Sequence, residues 1–160
     1  MVSRKLAPQV KKEYDDIQAE KQYIKQYIVK IDQSASNSLN VYIFGRKNSF
    51  HENGIFKLNI LLTDQYPQKQ PVWKFQKPYP YNSHIYSDGR QSSSLLYTWK
   101  QDTNLRILIE SVIDVLYQNN GGPSDNPFNC YKIFKENVEL FNQNCKKQAK
   151  LCNEAFLKEV

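Results

Sequence analysis

The sequence predicts an α+β fold: an N-terminal helix, a four-stranded antiparallel meander, an irregular crossover and then C-terminal helices. Three observations predict it. Apolar residues recur at three- and four-residue steps near both ends of the chain. Short β-forming runs bounded by turn residues lie between those ends. A Pro-, Ser- and Asn-rich passage, Lys77–Thr98, separates the strands from the later helices.

The first helix is expected from about Pro8 to Ile31. Ile17, Ile24, Tyr27, Ile28 and Ile31 form the apolar stripe, and Pro8 suits a first helical position, where its missing N–H costs nothing. Asp32–Asn40, rich in Ser and Asn, reads as a loop. Val41–Phe44 is a short β run ended by Gly45. In the next strand Phe56, Leu58 and Ile60 alternate with Lys57 and Asn59, the pattern of one buried face. A turn at Tyr66-Pro67 and a break at Pro71 introduce Val72-Trp73-Lys74-Phe75. Three strand runs are thus placed by residue.

Pro78 and Pro80 forbid a regular helix in the crossover and remove ladder donors. So long an irregular passage in a compact fold is usually functional or packed onto the body. Helical spacing returns from Asn104 with Leu105, Leu108, Ile109, Val112, Ile113 and Leu116. Asn119–Asn126 is a loop, and a last helix is expected from about Pro127 to Leu157.

Bulk properties narrow the class. The 160 residues suit one domain, 1–160, and 40% hydrophobic with 13% aromatic content excludes a disordered chain. No apolar run approaches the roughly 20 residues needed to span a bilayer. The net charge of +6 is spread among clusters such as Arg4, Lys5, Lys11, Lys12 and Lys146, Lys147, Lys150, with acids between them, so no nucleic-acid partner is expected. Cys130, Cys145 and Cys152 form neither a zinc pattern nor a disulfide framework; no metal, no cofactor and a reducing intracellular compartment are expected. The basic N-terminus has some of the composition of a mitochondrial presequence, and the first turn of an ordinary basic helix is the preferred explanation. Localisation is read as cytoplasmic or cytoskeletal, with the mitochondrion as the alternative.

Within the crossover Ser92, His84 and Asp88 lie close together in sequence. Ser92 offers a hydroxyl, a poor nucleophile without an adjacent base. His84 is the candidate base for a Ser–His pair, and Asp88 is the nearest acid in sequence, although no third orienting group is evident. The bland alternative is a packed loop histidine and a solvated turn at Ser92–Ser94.

The residues in order resemble those of the ubiquitin-conjugating enzymes (E2). Phe56–Ile60 with Tyr66-Pro67 and Pro71 resembles that family's strand and Tyr-Pro turn, and Trp73 and Phe75 its next strand. Ile85-Tyr86-Ser87-Asp88-Gly89 is similar to the loop before the catalytic position; Trp99, Leu105, Leu108, Ile113 and Leu116 to the following helix; Asn126-Pro127-Phe128-Asn129 and Tyr131 to the start of the next. In the family a His-Pro-Asn tripeptide precedes this loop, and the catalytic cysteine follows its Gly by three residues. Here the tripeptide is Asn82-Ser83-His84 and the third residue after Gly89 is Ser92.

The resemblance therefore implies a degenerate E2 site at Asn82, Ser83, His84 and Ser92, with no catalytic residue. Two independent losses imply a natural non-enzyme, and Cys130, expected to lie remote from the loop, offers no rescue. The implied role is a structural or adaptor subunit of a multi-subunit protein assembly; the run Tyr131–Phe156 and the tract Glu52–Leu58 resemble the Fused Toes group of inactive relatives. The alternative is a ubiquitin E2 variant that binds ubiquitin or an active E2. Tyr79, Tyr81, Tyr86 and Tyr97 suit an interface if exposed, or the domain's own body if the crossover packs on itself.

Overall fold

A computed structural model describes residues 6–20 and 26–160. The N-terminal helix α1 (Pro8–Glu20) buries Val10, Glu13 and Ile17 on one stripe. Four strands follow, β1 (Tyr27–Ile31), β2 (Ser38–Phe44), β3 (Ile55–Leu61) and β4 (Val72–Phe75), and they pair antiparallel in sequence order. The meander is four-stranded as expected, and its first strand lies inside the span assigned to the first helix. Tyr27, Ile28 and Ile31 fit a helical step, but Tyr27 and Val29 also fit period two, and both face the core. Pairing of Tyr27–Ile31 with Ile43–Leu39 satisfies their backbone groups and decides the ambiguity. Ile24 lies outside the described residues, as do Arg4 and Lys5. The loop assigned to Asp32–Asn40 is shorter than expected, because Ser38–Asn40 pair with Leu61–Asn59.

The inner sheet face carries Leu39, Val41, Ile43, Phe56, Leu58, Ile60, Trp73 and Phe75, all 3% exposed or less. Against it packs α3 (Leu105–Leu116), which buries Leu105, Leu108, Ile109, Val112, Ile113 and Leu116, the predicted stripe. Asn104 caps α3, its Oδ1 accepting the Ile107 N–H at 2.9 Å. Glu13 joins α1 to both the Tyr66 turn and α3. Its Oε1 accepts Tyr66 Oη at 2.7 Å and the Leu105 N–H at 2.9 Å.

The crossover contains one helical turn, α2 (Leu95–Thr98), and two single bridges, Lys74↔Arg90 and Ile85↔Gln91. Tyr79 and Tyr81 are 9% and 5% exposed, which removes them from the expected set of interface aromatics; Tyr86 is half-buried and Tyr97 is 89% exposed. The rings pack because the crossover folds back on the body: Tyr81 sits among Phe128 and Phe141 with Cys130 and Cys145.

The expected last helix is two, α4 (Cys130–Glu136) and α5 (Val138–Glu159). Asn137 makes the break. Its backbone is extended (φ −155°), and its side chain accepts the Leu140 N–H at 3.0 Å to start α5. The far end of α5 lies on the outer sheet face, where Glu159 accepts from Tyr42 Oη at 2.9 Å and pairs with Lys57, and Phe156 meets the Tyr42 ring edge-on.

Candidate functional site

The loop from Asn82 to Ser92 is built by asparagines. Asn82 is fully buried, and its Nδ2 donates to Leu116 O at 2.9 Å, taking up a carbonyl that the end of α3 leaves open. Its Oδ1 accepts the His84 N–H at 3.1 Å, a local turn of the kind asparagine favours. Asn126 clasps the other side: its Nδ2 donates to Asn82 O and Ile85 O, each at 2.8 Å, and its Oδ1 accepts from Phe128 and Cys130.

Between these clasps Ser83 is 2% exposed, and its Oγ is buried without a partner. Gly122 crosses directly above it: a Cβ there would lie 1.9 Å from Ser83 O, and its φ of +135° suits glycine alone. The loop then turns back through Asp88-Gly89. Gly89 has φ +90°, its carbonyl accepts the Phe75 N–H at 2.8 Å, and an added Cβ would meet Phe75 O at 2.4 Å. Asp88 accepts the Arg90 N–H and Nε at 3.1 and 2.8 Å, bonds that hold its carboxyl below the usual carboxylate range.

This fold-back brings Ser92 beside His84. The Ser92 N–H donates to His84 O at 2.7 Å, so the two residues are joined by backbone. The side chains are not joined. His84 Nε2 pairs with Asn120 Oδ1 at 2.8 Å, and among the described residues no hydrogen bond links the imidazole to Ser92. Asp88 is held by Arg90, and Asp125 accepts Ser87 Oγ at 2.7 Å, so neither orients His84. The Ser–His–acid arrangement considered from the sequence is not assembled. A partly buried hydroxyl remains, with no base or carboxylate among the described residues bonded to it.

Cys130 requires a correction. It is not remote from the loop but shares Asn126 and Tyr81 with it. Burial still leaves it inert: the Cys130 thiol is pushed far above the ordinary range, and burial lifts Cys145 and Cys152 to about 12.

Helix, four-strand meander, crossover and C-terminal helices match the architecture that the resemblance implied, and a model of the ubiquitin-conjugating enzyme family matches residues 9–149. The chain belongs to the ubiquitin-conjugating enzyme family. Among its E2 relatives is the SUMO-conjugating enzyme UBC9 of Caenorhabditis elegans, 27% identical over 77% of this chain and 78% of the relative. The ubiquitin-conjugating enzyme E2 3 of Arabidopsis thaliana is 28% identical over 65% and 69% of the two chains. The ubiquitin-conjugating enzyme E2 of African swine fever virus (isolate Pig/Kenya/KEN-50/1950) is 26% identical over 76% of this chain and 62% of its own length.

In this E2-family chain the sequence singled out Asn82, Ser83, His84 and Ser92, and the structure brings all four into one loop. Two further residues that shape that loop went unrecognised. Asn120 holds the His84 ring and Asn126 the backbone below it. Both sit in a stretch that reads only as a turn, and the signal available was the density of asparagine at 119, 120 and 126. Among the described residues no helix is long and apolar enough to cross a membrane, and no cluster of three metal-ligating side chains occurs.

Proposed function

We propose that this chain is a non-catalytic E2-family domain serving as a structural or adaptor subunit of a larger protein assembly. The observation that carries the reading is the pairing of His84 with Asn120 beside Ser92. Thioester transfer needs a thiolate that attacks and leaves easily, and a nearby amide to stabilise the oxyanion. Ser92 supplies a hydroxyl, and the residue aligned with the family's amide is an imidazole held by Asn120. The chain's own thiols are closed within the core. What the scaffold retains is a set of surfaces for other proteins, with Tyr97 standing 89% exposed just beyond the loop.

The test has two arms. Incubation with ubiquitin or SUMO, the matching activating enzyme and ATP is expected to leave the chain unmodified; a thiol-reducible adduct, or a hydroxylamine-labile ester on Ser92, overturns the non-catalytic reading. Size-exclusion of the native material is expected to place the chain in a stoichiometric complex. Elution as a monomer that shows saturable ubiquitin shifts by NMR would transfer the role to a ubiquitin-binding variant.

A further inference from the structure

A second surface lies away from the Ser92 loop, where the Arg46–Gly54 segment meets α3 and α5. A cleft of about 590 Å³ opens there, with Phe50, Glu52, Tyr117 and Lys146 among its lining residues. A neighbouring cleft of about 610 Å³ shares Glu52 and adds Lys47. Lys147 and Lys150 follow Lys146 on α5 and line neither cleft. All four lysines are exposed, and none has an ion pair among the described residues. Arg46, stacked over the Tyr117 ring at 4.3 Å, is ion-paired with Asp114 at 3.8 Å and adds no free cation.

Unpaired lysines concentrated at a recess are less easily explained as a plain solvated face than the paired Lys11–Asp15 of α1. Among the described residues Glu52 is the one acid lining either cleft, against Lys47 and Lys146, so the lining carries a small positive excess within a chain of net charge +6. The recess also has an apolar wall. Phe50 is half-buried, held edge-on against Phe141 at 5.1 Å and Phe134 at 6.4 Å, and so presents a fixed ring. Cations around an aromatic-walled recess match carboxylates flanking an apolar side chain.

We infer that this cleft docks an acidic peptide segment of a partner protein, its carboxylates on Lys47 and Lys146 and an apolar side chain against Phe50. Nucleic acid fits less well, because Phe50 and Tyr117 are engaged by Phe141 and Arg46 and offer no free stacking pair. The inference deepens the adaptor reading by giving the chemistry of a partner. It is tested independently of that reading, because peptide binding does not depend on whether Ser92 is reactive.

The experiment is fluorescence anisotropy of the full chain with a labelled Glu-Asp-Phe-Glu-Asp peptide, its Phe→Ala form and a thymidine oligonucleotide. Saturable binding of the first peptide is expected. Lys47→Glu with Lys146→Glu weakens it about tenfold, the sum of two reversed surface pairs. The matched reversal at the distant, exposed Lys69 and Lys100 leaves affinity within about twofold. The Phe→Ala peptide binds more weakly than its parent. No saturation at millimolar peptide, equal losses from both pairs of reversals, indifference to the Phe, or tighter binding of the oligonucleotide would each overturn the inference. All four lysines are surface positions, so folding of the variants is checked by their unchanged melting.

Discussion

Asn82 and Leu116 are joined through Nδ2 and the backbone carbonyl at 2.9 Å, and both residues are fully buried. The first residue of the Asn82-Ser83-His84 tripeptide therefore anchors the crossover to the end of α3. Replacing Asn82 with Ala leaves the His84 N–H and the last carbonyls of α3 short of partners, at a cost of about 1–3 kcal/mol. Melting should fall by roughly 2–4 °C for each kcal/mol, as measured by calorimetry. An unchanged melting temperature would show that the anchor carries no stability.

The His84–Asn120 pair makes a prediction about chemistry. A Ser92→Cys variant has a thiol beside an imidazole that is already paired with Asn120, and lacks the asparagine amide that the family carries at the His84 position. Adding His84→Asn supplies that amide. In lysine-discharge assays the double variant should exceed Ser92→Cys by about 10²–10³-fold if oxyanion stabilisation is what the loop lacks. Equal rates would place the deficit elsewhere.

His51 is 2% exposed, and burial lowers its pKa from 6.5 to about 4. The folded pKa lies below the unfolded one, so the unfolded chain binds the proton first as pH falls. Stability is therefore full above about pH 6.5 and declines toward pH 4, by about 3 kcal/mol at pH 4 from this group alone. Urea unfolding followed between pH 7 and 4.5 should show the decline, and a His51→Phe variant should flatten it.

Tyr66 is held far above the ordinary tyrosine range by burial first and then by its bond to Glu13. A raised folded pKa contributes stability below pH 10 that is lost as pH rises above 10, so ultraviolet titration should show Tyr66 ionising only as the fold opens. Glu13→Ala leaves the Tyr66 hydroxyl and the Leu105 N–H unpaired inside the core, and should cost about 1.5–3 kcal/mol in chemical denaturation.

Cys130, Cys145 and Cys152 are 3% exposed or less, with thiols raised by burial, and Cys152 Sγ donates to Pro78 O at 3.3 Å. A disulfide reagent should react negligibly with the native chain and with three thiols in denaturant. Rapid native reaction of one thiol would reveal local opening of α4 for Cys130 or of α5 for Cys145 and Cys152.

Much of this arrangement was legible in the sequence. Alternation at Phe56, Leu58 and Ile60 gave β3, and the stripe from Leu105 to Leu116 gave α3, because each period fitted one structure alone. Tyr27–Ile31 was not legible as a strand, since its spacing satisfies both periods and only pairing with β2 decides. The break at Asn137 was hidden for a related reason: apolar spacing runs across it, and a single capping side chain makes the turn. The four residues of the Ser92 loop were found by their order, whereas Asn120 and Asn126 reach the loop from 36 and 41 or more residues away. Such long-range hydrogen bonds leave no periodic trace.

The passage of Gly122 over Ser83 constrains how this loop can change. Bare backbone lies on bare backbone there, and both segments fill the same narrow gap. A side chain at 122 has nowhere to go, and an insertion beside Ser83 would have to lift the Asn119–Gly122 bend as one piece. Any substitution at Ser83 would be made beneath a roof of fixed height. The tripeptide and the bend that covers it are therefore bound to vary together or not at all.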